Sequence, residues 1–428
     1  MSPLSISHKI YAIGAIIFLA GGFLMNSSRH AEPVFDVAAA LPAAIMDGEA
    51  GARMREMSAL AGLNFMGKDW AKSEHARLMA NIGKAEMNNF SVIRTGGNRL
   101  YRGGVLPIRT ANAEKLAKCL AWFSERAREE NTRVFFLAAP ERVAKESFEE
   151  YGDYPVVNVH PAIDSLLYIL RNRDVPFLDS RYKFWSEGVP AEDITIATGT
   201  QMTGRGAFQL FSYLLDELER ERGTTLDPGG YFRDPANYVF KTYPDFFVGS
   251  YGKETGPAFS GVDDLVTITP AFLTELAIEG INMFGESFVA TGTVDETLLD
   301  PQRLTRTGHY YHFYPQNYYR HANLTWSVVR NLRNPGGKKV LFIHDFYTAQ
   351  LASFLAYTSS EVHTLALWDN QEHNAEEYIK GRNFDCVIIS LFPENILEER
   401  VQKLIVGNIP KEIEEEEKQV QTFDDFSF

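Results

Sequence analysis

Cysteine is close to absent: 428 residues hold two, Cys119 and Cys386. Two thiols make no disulfide framework. Cys119 falls in an amphipathic helical run and Cys386 in an apolar strand-like run, so each reads as a small buried hydrophobe. Cys-x-x-Cys and His-Glu-x-x-His spacings are missing, so no metal site is implied and no cofactor is expected. Positive charge is in deficit, with 42 Lys and Arg against 56 Asp and Glu and a net charge of −14. That argues against a nucleic-acid partner, whose phosphates need a basic face. No internal repeat is evident. Long apolar runs are scarce as well. The longest is Ile10 to Met25, preceded by His8 and Lys9. It is slightly shorter than the ~20 residues that span a bilayer. A signal-peptide core and an uncleaved anchor both fit. Asn26 to Ala31 make a poor small-x-small cleavage site, which favours one transmembrane anchor. Lys9 on the inner side then puts the rest of the chain outside the cytoplasm, periplasmic or at the cell surface.

Apolar and aromatic residues are plentiful, 45% and 13%, enough for a large core. Residues 1–31 read as the membrane segment and 32–84 as a linker with a helical lead-in. Residues 85–408 read as the main domain, with an aromatic-rich insert at 224–337. The acidic tail, 409–428, reads as disordered. Ser91–Thr95, a Gly96-Gly97-Asn98 turn and Arg99–Arg102 predict a hairpin. Ala113–Arg128 spaces Leu116, Leu120 and Phe123 for a helix, and Arg133–Ala138 is a β-rich run ending at Ala139-Pro140. Ala162–Arg173 predicts a helix and Val175–Leu178 a strand. Later, Val362–Leu367, Ala375–Lys380, Phe384–Ser390 and Ile396–Ile405 read strand, helix, strand, helix. This alternation predicts a three-layer α/β domain with a parallel sheet.

One stretch organises the rest. Lys338-Lys339 leads into Val340–Ile343, then His344-Asp345-Phe346, then an amphipathic run from Tyr347. That is a strand–turn–helix unit, and ligands in such sheets collect at the carboxyl ends of strands. His344, Asp345 and Phe346 should therefore line the mouth of any cleft. A second block runs Gly199-Thr-Gln201-Met-Thr203-Gly-Arg205-Gly-Ala207, with Thr203 placed to cap the next helix.

The two blocks resemble those of SGNH-type acyl hydrolases and acyltransferases, in the version found in the DHHW family and the alginate O-acetyltransferases. In the first, Asp345 matches the family's Asp, Tyr347 its aromatic, and Phe346 falls on the nucleophilic Ser. In the second, Asp-x-His-Trp-Thr-x-x-Gly-Ala, the residues Thr203, Gly206 and Ala207 match. Gly199 falls on the catalytic Asp and Gln201 on the His. The resemblance implies an SGNH fold over roughly residues 85–405, an anchored or exported protein, and acyl chemistry on a polysaccharide. It also implies that all three catalytic positions are substituted. A phenyl ring cannot attack a carbonyl, and Gln is no base near neutral pH.

Three functions remain open. The leading one is a non-catalytic protein that supports cell-surface polysaccharide O-acetylation, by binding glycan or a membrane-bound acyltransferase. The second is an active O-acetyltransferase with displaced residues, for which His344, Asp345, Thr203 and Thr348 are the candidates. The third is a structural envelope protein, which requires Phe346 buried and the cleft filled. For Asp345, capping of the helix that follows is the plainer role. Gly285-Glu-Ser287-Phe288 imitates a nucleophile block, but reads as surface loop. The aromatic run Gly308–Tyr314, with Tyr318, Tyr319 and His321, offers either core packing or flat faces for sugars.

Overall fold

The computed structural model describes residues 68–95, 99–104, 110–142, 155–221, 224–304, 313–367 and 373–415. The chain divides into two units, Met1–Lys84 and Ala85–Phe428. The first contributes one described helix, α1 (Lys68–Asn81). The expected anchor, the 96–98 turn, residues 308–312 and the tail beyond 415 lie outside the described residues. Among the described residues no helix is long and apolar enough to cross a membrane.

The second unit opens with a small antiparallel sheet, β1 (Glu86–Met87), β2 (Val92–Arg94) and β3 (Leu100–Arg102). The expected hairpin is β2–β3, paired Ile93 to Tyr101. Alternation then begins. Helix α2 (Ala111–Glu129) precedes β4 (Arg133–Ala138), and α3 (His160–Asn172) precedes β5 (Phe177–Asp179). Asn131 and Asp174, both left-handed, turn the chain out of α2 and α3. Helix α4 (Gly204–Arg220) starts where Thr203 Oγ1 accepts from Gly206 N at 2.9 Å. A ribbon follows, β6 (Tyr238–Phe247) against β7 (Asp263–Pro270). Then come β8 (Leu276–Asn282), β9 (Ser287–Gly292) and β10 (Leu324–Asn331). The chain continues with β11 (Lys339–His344), α5 (Leu351–Thr358), β12 (Glu361–Ala366), α6 (Ala375–Ile379), β13 (Cys386–Leu391) and α7 (Glu399–Val406).

The main sheet runs β5-β4-β13-β11-β12-β10-β8-β9. From β5 to β12 neighbouring strands are parallel. From β12 outward they are antiparallel. The sheet is thus mixed, not parallel throughout. The aromatic-rich insert causes the difference: it supplies β8, β9 and β10. Ser287 opens β9 at the far edge, with β8 before it and only a four-residue helix, Val294–Thr297, after it. The nucleophile-like block there is hairpin, not elbow.

Strand residues alternate between two cores. Phe135, Leu137, Val340 and Phe342 pack with α4 and α5, whereas Val134, Phe136, Leu341 and Ile343 pack with α2, α3 and α7. Burial on both faces is why these strands read as unbroken apolar runs. Helix α5 begins four residues later than Tyr347, and all eight of its residues are buried. The expected amphipathic run is therefore a turn, 346–350, followed by a core helix. The predicted last helix is likewise split, into a tight turn at Pro393–Leu397 and then α7.

Candidate functional site

The carboxyl ends of β4, β11 and β13 converge, as the strand–turn–helix pattern required. Three side chains tie them together. Asp345 Oδ1 accepts from Tyr347 N at 2.9 Å, and its Oδ2 accepts from Phe392 N and Asn395 Nδ2, both at 2.6 Å. Tyr347 Oη donates to Pro140 O at 2.7 Å. Thr348 Oγ1 donates to Ser390 O at 2.7 Å and is fully buried. Asp345 thus caps its own turn and also clamps the end of β13. Burial holds its carboxyl above the usual carboxylate range, against the pull of its donors.

Thr203, Thr348 and His344 do not form a displaced nucleophile and base. Thr203 Oγ1 donates to Asp193 O while capping α4. His344 is buried in the sheet, stacked on Phe342 at 5.1 Å, with Nδ1 3.2 Å from Asp345 O. Burial pushes its imidazole down to about 3, so it stays neutral and a poor base at neutral pH. A Ser–His contact does exist, Ser353 Oγ to His321 Nδ1 at 3.4 Å. Both residues are buried under α5, and His321 Nε2 lies 2.6 Å from Ala349 O. That pair is core structure, with no face open to a substrate. Phe346, at the family's nucleophile position, is 41% exposed. The burial of Phe346 that the purely structural reading requires is not met.

The second block sits in a loop that other elements grip tightly. Asp263 accepts from Ala197 N at 2.6 Å, from Thr198 N at 3.0 Å and from Thr198 Oγ1. Gly199 passes Gly249 so closely that a Cβ on Gly199 would lie 2.6 Å from Ser250 N and 2.8 Å from Gly249 Cα. No side chain fits there without moving backbone, so the missing Asp is excluded by packing. Arg205 is exposed, with its guanidinium 5.6 Å from the Phe240 ring centre.

The residues that dominate this region escaped sequence reasoning. Arg142, 5% exposed, reaches from just past β4 into the loop. Its Nη1 donates to Ile196 O at 2.8 Å and to Gly199 O, and its Nη2 to Leu100 O at 2.6 Å and Ala197 O at 3.2 Å. The rings of Tyr101 and Tyr251 lie 5.3 and 5.7 Å from its guanidinium carbon. Glu141, next to it, is pushed up to about 7 by burial and then by the Glu394 carboxyl. Glu394 is raised by burial too. Among the described residues, Arg99 Nε, Glu141 Oε2, Arg142 Nε, Gln201 Oε1 and Ser250 Oγ are buried without a hydrogen-bond partner. The cleft floor is therefore polar and under-satisfied, which suits binding of a polar group or ordered water. One signal pointed here: Glu141-Arg142 and Glu394 each follow a strand end and a proline, where ligands collect.

Of the aromatic run, the described residues are mostly packed into the core. Tyr318, Tyr319 and His321 are buried. Lys253 Nζ donates to Phe313 O at 2.8 Å and sits over the Tyr314 ring. Both cysteines are free, buried and apart, as expected. Among the described residues no cluster of His, Cys, Asp and Glu is arranged to hold a metal.

A parallel α/β core with the two blocks at its carboxyl edge is the architecture that the SGNH resemblance implies. No protein-family profile matches the chain, and no curated protein sequence does. Known structures do match. PatB1 of Bacillus cereus, solved with a sulfonyl adduct, superposes with TM-score 0.59 at 16% identity, over 74% of this chain and 99% of that one. A DHHW family protein from Eubacterium siraeum superposes with TM-score 0.55 at 14% identity, over 76% of this chain and 97% of that one. The O-acetyltransferase domain of Pseudomonas putida AlgJ is more distant, at TM-score 0.44 and 12% identity, over 76% of this chain and 98% of that one. The chain shares the fold of PatB1 and of the DHHW family protein.

Proposed function

We propose that this chain is a non-catalytic SGNH protein that supports O-acetylation of a cell-surface polysaccharide, by binding glycan or an acetylation partner. The observation that carries the reading is the occupancy of the three catalytic positions. Phe346 stands where acyl attack needs a hydroxyl. Gln201 stands where it needs a base. Gly199 lies in a backbone crossing that admits no carboxylate. In the best-studied protease, loss of the whole triad costs about 10⁶-fold in rate. In this reading the N-terminal apolar stretch holds the domain outside the cytoplasm, which fractionation of cells expressing the full chain tests. The decisive experiment offers the purified chain p-nitrophenyl acetate, alone and with an oligosaccharide acceptor. No turnover above background is expected. Turnover abolished by one substitution overturns the proposal.

A working transferase with displaced residues keeps one observation in its favour. Ser250 Oγ is buried beside Gly199 without a hydrogen-bond partner. If the chain turns over the acetyl ester and Ser250→Ala abolishes it, this second reading replaces the first.

A further inference from the structure

We infer that the chain carries a sugar-binding site at the opposite end of the sheet from the degenerate cleft, built on Tyr231 and Arg333. The inference rests on the glycan-binding form of the proposed function and gives that form a location. A cavity of about 350 Å³ opens where β8 begins and β10 ends. That is the size range of small-ligand sites. Strand β11 separates this edge from His344, and its six residues span about 20 Å at ~3.3 Å each. The two sites are therefore distinct.

The chemistry of the lining is what selects a sugar. Tyr231, Phe272 and Tyr357 form its apolar wall, with ring centroids 5.6 Å apart from Tyr231 to Phe272 and from Phe272 to Tyr357. Tyr231 is 47% exposed, so part of its ring faces solvent. Polar groups with unused capacity rim that wall. Among the described residues no ion pair or side-chain hydrogen bond engages the exposed guanidinium of Arg333. Asn334 uses Nδ2 on Thr358 O at 3.1 Å, which leaves its Oδ1 to accept. Thr274 Oγ1 accepts from Val294 N at 2.9 Å and keeps its proton to donate. An inorganic anion would leave the rings idle, and a plain hydrocarbon would strand the polar rim. A pyranose uses both, with C–H faces for the ring and hydroxyls for the rim. A carboxylate on that sugar would further engage Arg333 in a two-pronged contact.

Calorimetric titration of the full chain with cellohexaose and with a hexauronate tests the inference. Binding of at least one probe is expected. Tyr231→Ala should weaken binding about tenfold or more. Arg333→Ala should weaken the hexauronate more than cellohexaose, in a salt-sensitive way. Tyr168→Ala, an exposed ring on α3 that lines neither site, should leave affinity unchanged. Both substituted side chains at the cavity are exposed, so both variants should keep the wild-type circular dichroism. If the wild type binds and the two cavity variants bind equally well, this site is wrong while glycan binding stands. If the wild type binds neither probe, the site and the glycan form of the proposed function both fall.

Discussion

Arg142 gives the sharpest test of how the degenerate cleft is held. Its guanidinium is buried, and burial together with the Arg99 cation lowers its pKa from the usual arginine value. What keeps it there is four main-chain carbonyls, those of Leu100, Ile196, Ala197 and Gly199. Replace it with methionine, which keeps the stem. The Ala197 carbonyl retains a donor, Leu100 N at 2.9 Å. The Leu100, Ile196 and Gly199 carbonyls lose their guanidinium donors. Each orphaned buried acceptor costs about 1–3 kcal/mol, and removing a desolvated charge returns part of that. The net expectation for Arg142→Met is a loss of about 3 kcal/mol.

Urea unfolding followed by tryptophan fluorescence reads this directly. With a slope of about 3 kcal/mol/M, the midpoint should fall by about 1 M. Arg142→Lys separates charge from geometry. An ammonium is a point donor and cannot serve carbonyls on two sides of a planar fork, so lysine should lose nearly as much as methionine. If lysine unfolds within about 0.5 kcal/mol of wild type, charge alone holds the loop and the fork argument is wrong. If methionine is neutral, the four carbonyl contacts carry no stability and the whole account of this loop fails.

Other consequences follow from the same region. Glu141 has a folded pKa of about 7 against 4.5 unfolded, so the folded state binds the extra proton and stability is lost as pH rises from 4.5 to 7. Glu141→Gln should therefore gain on wild type by up to about 3 kcal/mol between pH 4 and pH 8, measured as the change in urea midpoint. His321 titrates the other way: its folded value of about 4 lies below the unfolded 6.5, so stability present above pH 6.5 is lost as pH falls towards 4. Relative to wild type, His321→Gln should gain up to about 3 kcal/mol on going from pH 7 to pH 4 in the same assay. Gly199→Ala should destabilise by about 1–3 kcal/mol, because its Cβ meets backbone; a neutral result would remove the packing argument. The double variant Phe346→Ser, Gln201→His should remain inert towards p-nitrophenyl acetate, since no carboxylate at 199 orients the new imidazole.

The parallel half of the fold was legible because burial on both faces leaves a plain mark. Runs such as Val340–Ile343 and Cys386–Ile389 have no polar partner in their alternation, and that excludes a half-exposed strand. The antiparallel half was hidden for the opposite reason. β9 lies at the sheet edge, alternately exposed and half-buried, and Ser287-Phe-Val-Ala-Thr-Gly resembles many loops. The start of α5 was misplaced because Tyr347 and Thr348 are apolar or small enough to join a helical stripe. Both instead spend their hydroxyls on neighbouring strand ends, a use no periodicity can reveal. That Asp345 and Phe346 follow the end of β11 came from strand polarity; the burial of His344 inside the sheet, away from the cleft mouth, did not. Nor did Arg142, because its partners are carbonyls, which every residue supplies and no motif marks.

The backbone crossing at Gly199 and Gly249 bears on how the three catalytic losses relate. Loss of a nucleophile alone leaves a cavity of the old shape, and one substitution could reverse it. Here the carboxylate position has been closed by main chain, and a guanidinium donates to the carbonyl of that same residue. Asp263 and Arg142 grip the loop from two sides. The site still presents Phe346 to solvent and still leaves Glu141, Gln201 and Ser250 atoms without partners. Pure decay towards an inert core would have buried the first and satisfied the second, since each unpaired buried polar atom costs stability. Retention of both is what the proposed binding role requires of this region, and Phe346 burial or full pairing of these atoms would have counted against it.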